Sequence, residues 1–376
     1  MTTPDPRIAW LRRHAPVLMA WGIWSGLHFS GLKLHEIDHL LLLGGLATLI
    51  FMAMLASIFA VTRHAEHLAE QLREPLGTLV LTLSIALIEV SLMLIIMMGG
   101  QQNPTMLRDT VLATLMITLN GMVGLSLVAG GWRHHEQTFN LRGALAYLHL
   151  IAPISLILLV MPNRTLSSPG PSLIPVQEGF LGGLCVLAYA LFLVMQTTRH
   201  KSLFDHSDPE DDLPRAPVNH AGQASRSAII RSATGLVLAV APIVLLAEFL
   251  GDFIDFGIEE MGAPNALGGF LIALLVLIPE GLGAYRAALA NRMQRAVNIC
   301  LGSALSTIAL TVPVMLIAAG LYDNALILGL EGANSTLLLA SIVTAVISLV
   351  NGRTSMLQGN VHVMLFFSYL FFIFYP

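Results

Sequence analysis

Apolar stretches of roughly 20 residues recur along the whole chain, parted by short polar segments, and each is long enough to cross a ~30 Å hydrocarbon core. The pattern predicts eleven membrane-spanning helices, at 15–31, 40–62, 77–99, 107–130, 142–161, 178–198, 228–250, 265–285, 296–320, 325–350 and 355–375. The longest polar segment runs from Arg199 to Arg226 and holds Asp205, Asp208, Glu210, Asp211 and Asp212. Pro209, Pro214 and Pro217 keep it from regular structure. It divides an all-α chain into an N-terminus with a leading helix (1–36), a first five-helix repeat (37–198), the acidic linker (199–226) and a second five-helix repeat (227–376). An odd number of crossings per half sets the second half upside down relative to the first, which is the topology of inverted repeats.

Composition supports the spans. Of 376 residues, 55% are hydrophobic and 11% charged, and the mean hydropathy is +0.76. A soluble domain carries about 25% charged residues. The basic residues add an orientation. With the N-terminus in the cytoplasm and the C-terminus in the periplasm of an inner membrane, Lys33, Arg108 and Arg164 face outside, and the remaining sixteen of the 19 Lys and Arg face the cytoplasm. A miscounted helix would scramble that asymmetry. Arg7, Arg12 and Arg13 ahead of the first apolar run resemble a signal peptide, but no small-residue cleavage site follows, so the run reads as a helix that stays. No basic stripe suggests nucleic acid, and Cys185 and Cys300, both within apolar stretches, read as small core residues.

The two halves carry the same feature at the same place. Gly77 precedes Glu89 by twelve residues in the third span, and Gly268 precedes Glu280 by twelve in the eighth. Pro75 and Pro264 lie shortly before each glycine. A carboxylate at mid-depth costs on the order of 2.5–3.5 kcal/mol to insert, so a pair at matched positions points to a task. In inverted topology the midpoints of the two spans can meet at the repeat interface. Two carboxylates in low dielectric do not readily stand doubly ionised, so they hold protons or exchange them for a cation. Ca²⁺ asks for six to eight oxygen ligands. Pro279 should free the carbonyl of Leu275, and Thr82, Ser84, Asn120, Asn298, Ser303 and Ser306 are further candidate ligands, with Thr307 beside them.

The stretches Arg73-Glu74-Pro75-Leu76-Gly77-Thr78 through Ile88-Glu89-Val90, and Pro279-Glu280-Gly281-Leu282-Gly283-Ala284, resemble the two alpha-repeats of the calcium/cation antiporter superfamily. The likeness is greatest to the bacterial calcium/proton antiporter branch of the cation/proton exchanger family. It covers nearly the whole chain and implies Ca²⁺/H⁺ exchange, with Na⁺/H⁺ and K⁺/H⁺ exchange also expected. The partners implied are inorganic cations, protons and the lipid bilayer, with no cofactor and no enzymatic step. The family's central glutamates fall on Glu89 and Glu280. The chain departs from the family pattern where an asparagine would precede each glutamate, at Ala86 and Leu277. Gly302-Ser303 keeps the later glycine-serine element, whereas its first-half counterpart is Leu115-Met116, with Asn120 beyond.

Two readings from other classes compete. His35-Glu36-Ile37-Asp38-His39 matches the zinc-protease pattern with both histidines on one helical face. No third ligand is assignable, while catalytic zinc normally has three protein ligands; the plain reading is an interfacial helix start. A cation channel is the other rival, distinguished by flux without proton counter-movement. Asp252, Asp255, Glu259 and Glu260 are expected in an outside loop. His64 and His67, His134 and His135, and His200 and His206 gather on the expected cytoplasmic face, where they read as surface histidines or pH sensors. Arg108 and Arg295 read as interface anchors.

Overall fold

A computed structural model of the chain describes residues 6–31, 39–72, 76–99, 103–168, 170–199, 201–204, 226–322 and 326–376. The leading helix α1 spans Pro6–Ser30. The first half follows with α2 (Leu40–Gln71), α3 (Leu76–Gly99), α4 (Met106–Leu115), α5 (Val123–His134), α6 (Leu141–Leu159) and α7 (Pro175–Val194). A one-turn helix α8 (Lys201–Phe204) precedes the second half: α9 (Arg226–Glu259), α10 (Ala266–Leu289), α11 (Met293–Ser306), α12 (Val312–Tyr322), α13 (Gly332–Leu349) and α14 (Met356–Phe374). Among the described residues ten helices are long and apolar enough to cross a membrane, and α1 is not among them. The acidic run 205–212 and the residues His35, Glu36 and Asp38 lie outside the described residues, as do His200 and His206.

The halves match helix for helix. α2 and α9 have 32 and 34 residues, α3 and α10 have 24 each, α6 and α13 have 19 and 18, and α7 and α14 have 20 and 19. The fourth span of the sequence reading is α4 and α5 run together through a π-helical segment, Met116–Met122. Its counterpart is α11 and α12 joined through another, Thr307–Thr311. A π-turn widens a helix by one residue and unsettles its regular ladder, and such turns concentrate at functional sites. Finding one in the same span of each half extends the repeat from composition to backbone geometry.

The helices gather into two compact units that draw on both halves. One comprises 1–102 with 220–263, the other 103–219 with 264–376. In the first, α9 packs on α2 and α3, and α1 lies against α2 and α9. Its core includes Ile50, Met54 and Leu92, all fully buried. In the second, α10 packs on α4, α5 and α11. There the halves exchange contacts. α5 packs on α14 and its counterpart α12 packs on α7. The loop after α5 bridges the loop after α13 at Thr138–Arg353, and the loop after α6 bridges the loop after α12 at Ser172–Ile327. Swapping the halves turns each contact into the other, the behaviour a two-fold pseudo-symmetry axis requires.

Several helices overrun their expected ends. α2 continues nine residues beyond position 62, to Gln71, because Ala65 and Leu68 stay buried on one face. α9 runs to Glu259, which corrects the expectation of an outside loop: Asp252, Asp255 and Glu259 stand on its last turns, and only Glu260 lies beyond. Phe253 and Ile254, at 8% and 6% exposure, hold those turns helical. Arg108 does more than anchor an interface. Its Nε donates to Oδ1 of Asp109 at 2.8 Å, a carboxylate that also accepts from Thr105 Oγ1 at 2.8 Å.

Candidate functional site

Both predicted carboxylates lie on unbroken helices at matching positions along them. Glu89 is thirteen residues into α3, and Glu280 fourteen into α10. Glu89, in the first unit, is 3% exposed. Its helix begins tightly: a Cβ on Gly77 would stand 2.7 Å from the Ala69 carbonyl oxygen, so only glycine allows α3 this approach to α2. On the same helix Ser84 donates to the Val80 carbonyl at 2.7 Å, bonding its own backbone, and Thr82 is half-buried.

Glu280, in the second unit, is half-buried and follows Pro279. Proline has no N–H, so the carbonyl of Leu275 loses its helical partner. The helix is held close to its neighbours by glycines. An added Cβ on Gly269 would stand 2.6 Å from the Thr110 backbone nitrogen, and one on Gly281 would stand 3.3 Å from Met122 Cγ. Glu280 is thereby pressed towards the π-segment of the α4–α5 span and towards α11.

From α11, Ser303 donates its hydroxyl to Glu280 Oε2. The same Oγ is 2.8 Å from the carbonyl of Ile299. A serine hydroxyl has one proton and two lone pairs, so the arrangement serves both states of the glutamate. When Glu280 is ionised, the serine proton points at the carboxylate. When Glu280 is protonated, its own O–H donates to Ser303 Oγ, and the serine proton turns to Ile299. Ser306 donates to the Ser303 carbonyl at 3.0 Å, and Thr307 opens the π-segment, 5% exposed.

The two asparagines are differently engaged. Asn298 donates to the Phe204 carbonyl and accepts from Gln294, both at 2.9 Å. Asn120, fully buried in the first π-segment, donates to Ser341 Oγ at 2.7 Å. Its Oδ1 is 3.2 Å from His362 Nδ1, whose Nε2 is 3.1 Å from Ser348 Oγ. With the amide oriented this way the tautomer follows: His362 donates from Nδ1 and accepts the Ser348 proton at Nε2. To serve a cation, either asparagine would have to leave these partners. Sequence reasoning missed His362, Ser341 and Ser348. A histidine inside an apolar span was the available signal, because such a residue needs partners at membrane depth.

The positions where the resemblance implies asparagine are closed. Ala86 and Leu277 are 8% and 3% exposed, and Leu115 and Met116 are fully buried. Cys185 and Cys300 are buried free thiols. No group of three or more His, Cys, Asp or Glu able to hold a metal ion occurs among the described residues.

Repeated helical halves, each with one carboxylate midway along its second span and a π-turn in the next, define a polytopic membrane transporter. The chain matches the sodium/calcium exchanger protein family over residues 40–198 and 231–375, one match in each half, and it belongs to that family. It is 38% identical over 328 residues to the sodium-potassium/proton antiporter ChaA of Escherichia coli (strain K12), covering 87% of this chain and 88% of the relative. Among solved structures it superposes on native YfkE with a TM-score of 0.73 at 15% identity, covering 96% and 99% of the two chains. It superposes on the H⁺/Ca²⁺ exchanger CAX with a TM-score of 0.69 at 13% identity, covering 96% and 88%. These likenesses carry the fold of the transporter, and neither protease nor channel finds support among them.

Proposed function

We propose that the protein is a secondary antiporter that exchanges Ca²⁺, and also Na⁺ or K⁺, for protons, with Glu89 and Glu280 as the proton and cation carriers. The observation that carries the reading is the Glu280–Ser303 pair, because it accommodates a protonated and an ionised carboxylate without moving the backbone. Proton binding converts Glu280 into a donor and removes the charge that attracts the cation. Proton release restores an acceptor oxygen at a helix already relieved of one hydrogen bond by Pro279. Ser303 and Ser306 of α11 and the Leu275 carbonyl of α10 are the further oxygen ligands assigned to that carboxylate, and Thr82 and Ser84 accompany Glu89 on α3. The relative at 38% identity is a sodium-potassium/proton antiporter, and a superposable structure is an H⁺/Ca²⁺ exchanger, so all three cations enter the proposal. The site is reached from each side in turn, as in other repeat transporters. We place the chain in a bacterial inner membrane, N-terminus in the cytoplasm and C-terminus in the periplasm, with the proton gradient driving cation extrusion.

Everted membrane vesicles test this. A proton gradient is set up by respiration, and Ca²⁺, Na⁺ or K⁺ is then added. At least one cation should collapse the gradient in the wild type, and Glu89→Gln and Glu280→Gln should each abolish the response with normal membrane levels. Wild-type behaviour in both variants, or cation flux without proton movement, would overturn the proposal.

A further inference from the structure

A cleft of about 960 Å³ opens in the first unit between α1, α2 and α9, and neither glutamate lines it. Its lining changes character along its depth, and all three helices agree on the direction. At one end stand His14 of α1, His67 and Gln71 of α2, and Arg231 of α9. Further in lie Val17, Leu18 and Trp21 on α1, and Leu238 on α9. Seven residues separate His14 from Trp21 and seven separate Arg231 from Leu238, each about 10 Å of helix. α2 runs the opposite way: His64 faces His14 and Gly235, and Gln71, seven residues on, reaches back to Ser232.

The walls are built rather than incidental. His64 is 6% exposed and stacks on His14 with ring centroids 6.3 Å apart. The ring lies over Gly235, where a Cβ would stand 2.5 Å from its Cε1. Trp21 Nε1 donates to the Leu238 carbonyl at 3.1 Å, tying α1 to α9 at the inner end. Gln71 Nε2 reaches Ser232 Oγ at 3.5 Å, while its Oε1 is buried with no hydrogen-bond partner among the described residues.

The chemistry of the lining specifies the occupant. Among the described residues one arginine and three histidines line the cleft and no carboxylate does; Glu70 stands outside it, 75% exposed, with an oxygen 3.5 Å from His67 Nδ1. That end therefore attracts an anion. The inner end is apolar and opens sideways, since Leu18 and Leu238 are 51% and 52% exposed. An anionic head, a hydroxyl to satisfy Gln71 and an apolar chain leaving sideways together describe a phospholipid. Basic pockets between membrane helices hold anionic headgroups in this way.

We propose that this cleft binds one anionic phospholipid, its phosphate at Arg231 and His14 and its acyl chain along Trp21 and Leu238. The test uses the purified full-length chain in detergent, with phosphatidylglycerol, phosphatidylcholine or inorganic phosphate added. Thermal unfolding and native mass spectrometry are read on wild type, Arg231→Gln and Thr234→Glu. Phosphatidylglycerol should raise the unfolding temperature and remain bound as one copy, phosphatidylcholine and phosphate should do neither, and Arg231→Gln should bind about fivefold more weakly. Thr234→Glu sets a carboxylate at the exposed rim and should abolish retention, which keeps the test decisive if the arginine variant folds poorly. Equal effects of the two lipids, a phosphate effect matching phosphatidylglycerol, or unchanged binding in both variants would overturn the proposal.

Discussion

At the scale of residues, the same chemical group takes opposite roles according to its partners. Ser84 spends its hydroxyl on its own helix, whereas Ser303 faces a carboxylate as well as a backbone carbonyl. The partners themselves are invisible in sequence, since both serines lie in apolar runs and both were candidate ligands there. Removing the Ser303 hydroxyl takes one donor from an ionised Glu280. A hydrogen bond to a charged group is worth about 1.5–3 kcal/mol, so Ser303→Ala should raise the half-saturating cation concentration by roughly ten- to a hundredfold. Ser303→Thr, which keeps the hydroxyl, should recover most of the loss. Half-saturation measured in everted vesicles checks both variants, and an unchanged value for Ser303→Ala would remove the serine from the site. Asn120 shows the converse limit: residue type nominated it as a ligand, yet its amide is held by Ser341 and His362.

At the scale of elements, the site depends on how closely α10 can approach α4. Gly269 makes that approach possible, with the Thr110 nitrogen 2.6 Å and the Asp109 carbonyl carbon 2.8 Å from where a Cβ would lie. Backbone atoms cannot turn aside as a side-chain end can, so Gly269→Val must separate the helices. The cost should reach the 1–3 kcal/mol typical of overpacking, read as a lower unfolding temperature of the purified protein. Gly283→Ala is the control. Its nearest neighbour is the Ile299 Cδ1 methyl at 3.7 Å, an ordinary contact, and its unfolding temperature should change little. The π-segments belong to this scale too. Hydropathy locates the spans that contain them, but the extra residue within each ladder follows from packing that no window of sequence contains.

At the scale of the whole molecule, the repeat sets one glutamate midway along the second span of each half, and the proposed exchange assigns both to one cycle. If exchange needs both, each single substitution already stops it, and the second has nothing left to remove. Glu89→Gln combined with Glu280→Gln should therefore match either single variant in proton release from vesicles, far from the product of independent effects. Graded loss, with residual exchange in each single variant and less in the pair, would mean separate pathways. The basic cleft bounded by α1 also becomes visible at this scale, because α9, which completes its lining, lies more than 150 residues along the chain from α1 and α2.

The helical type of the long spans, their repetition in two halves and the positions of the two glutamates were legible in the sequence, and of the eleven spans expected ten are long and apolar enough among the described residues. Hydrocarbon imposes one length and one polarity on every crossing, and a buried charge stands out against both. Helix ends were less legible: α2 and α9 continue past the membrane-length window because buried side chains there still have neighbours to pack on. Only the tertiary structure decided which polar side chains face Glu280, which ones satisfy each other, and where glycine admits a second backbone. Hydrogen bonds and close contacts join residues far apart in the chain, so local composition holds no record of them.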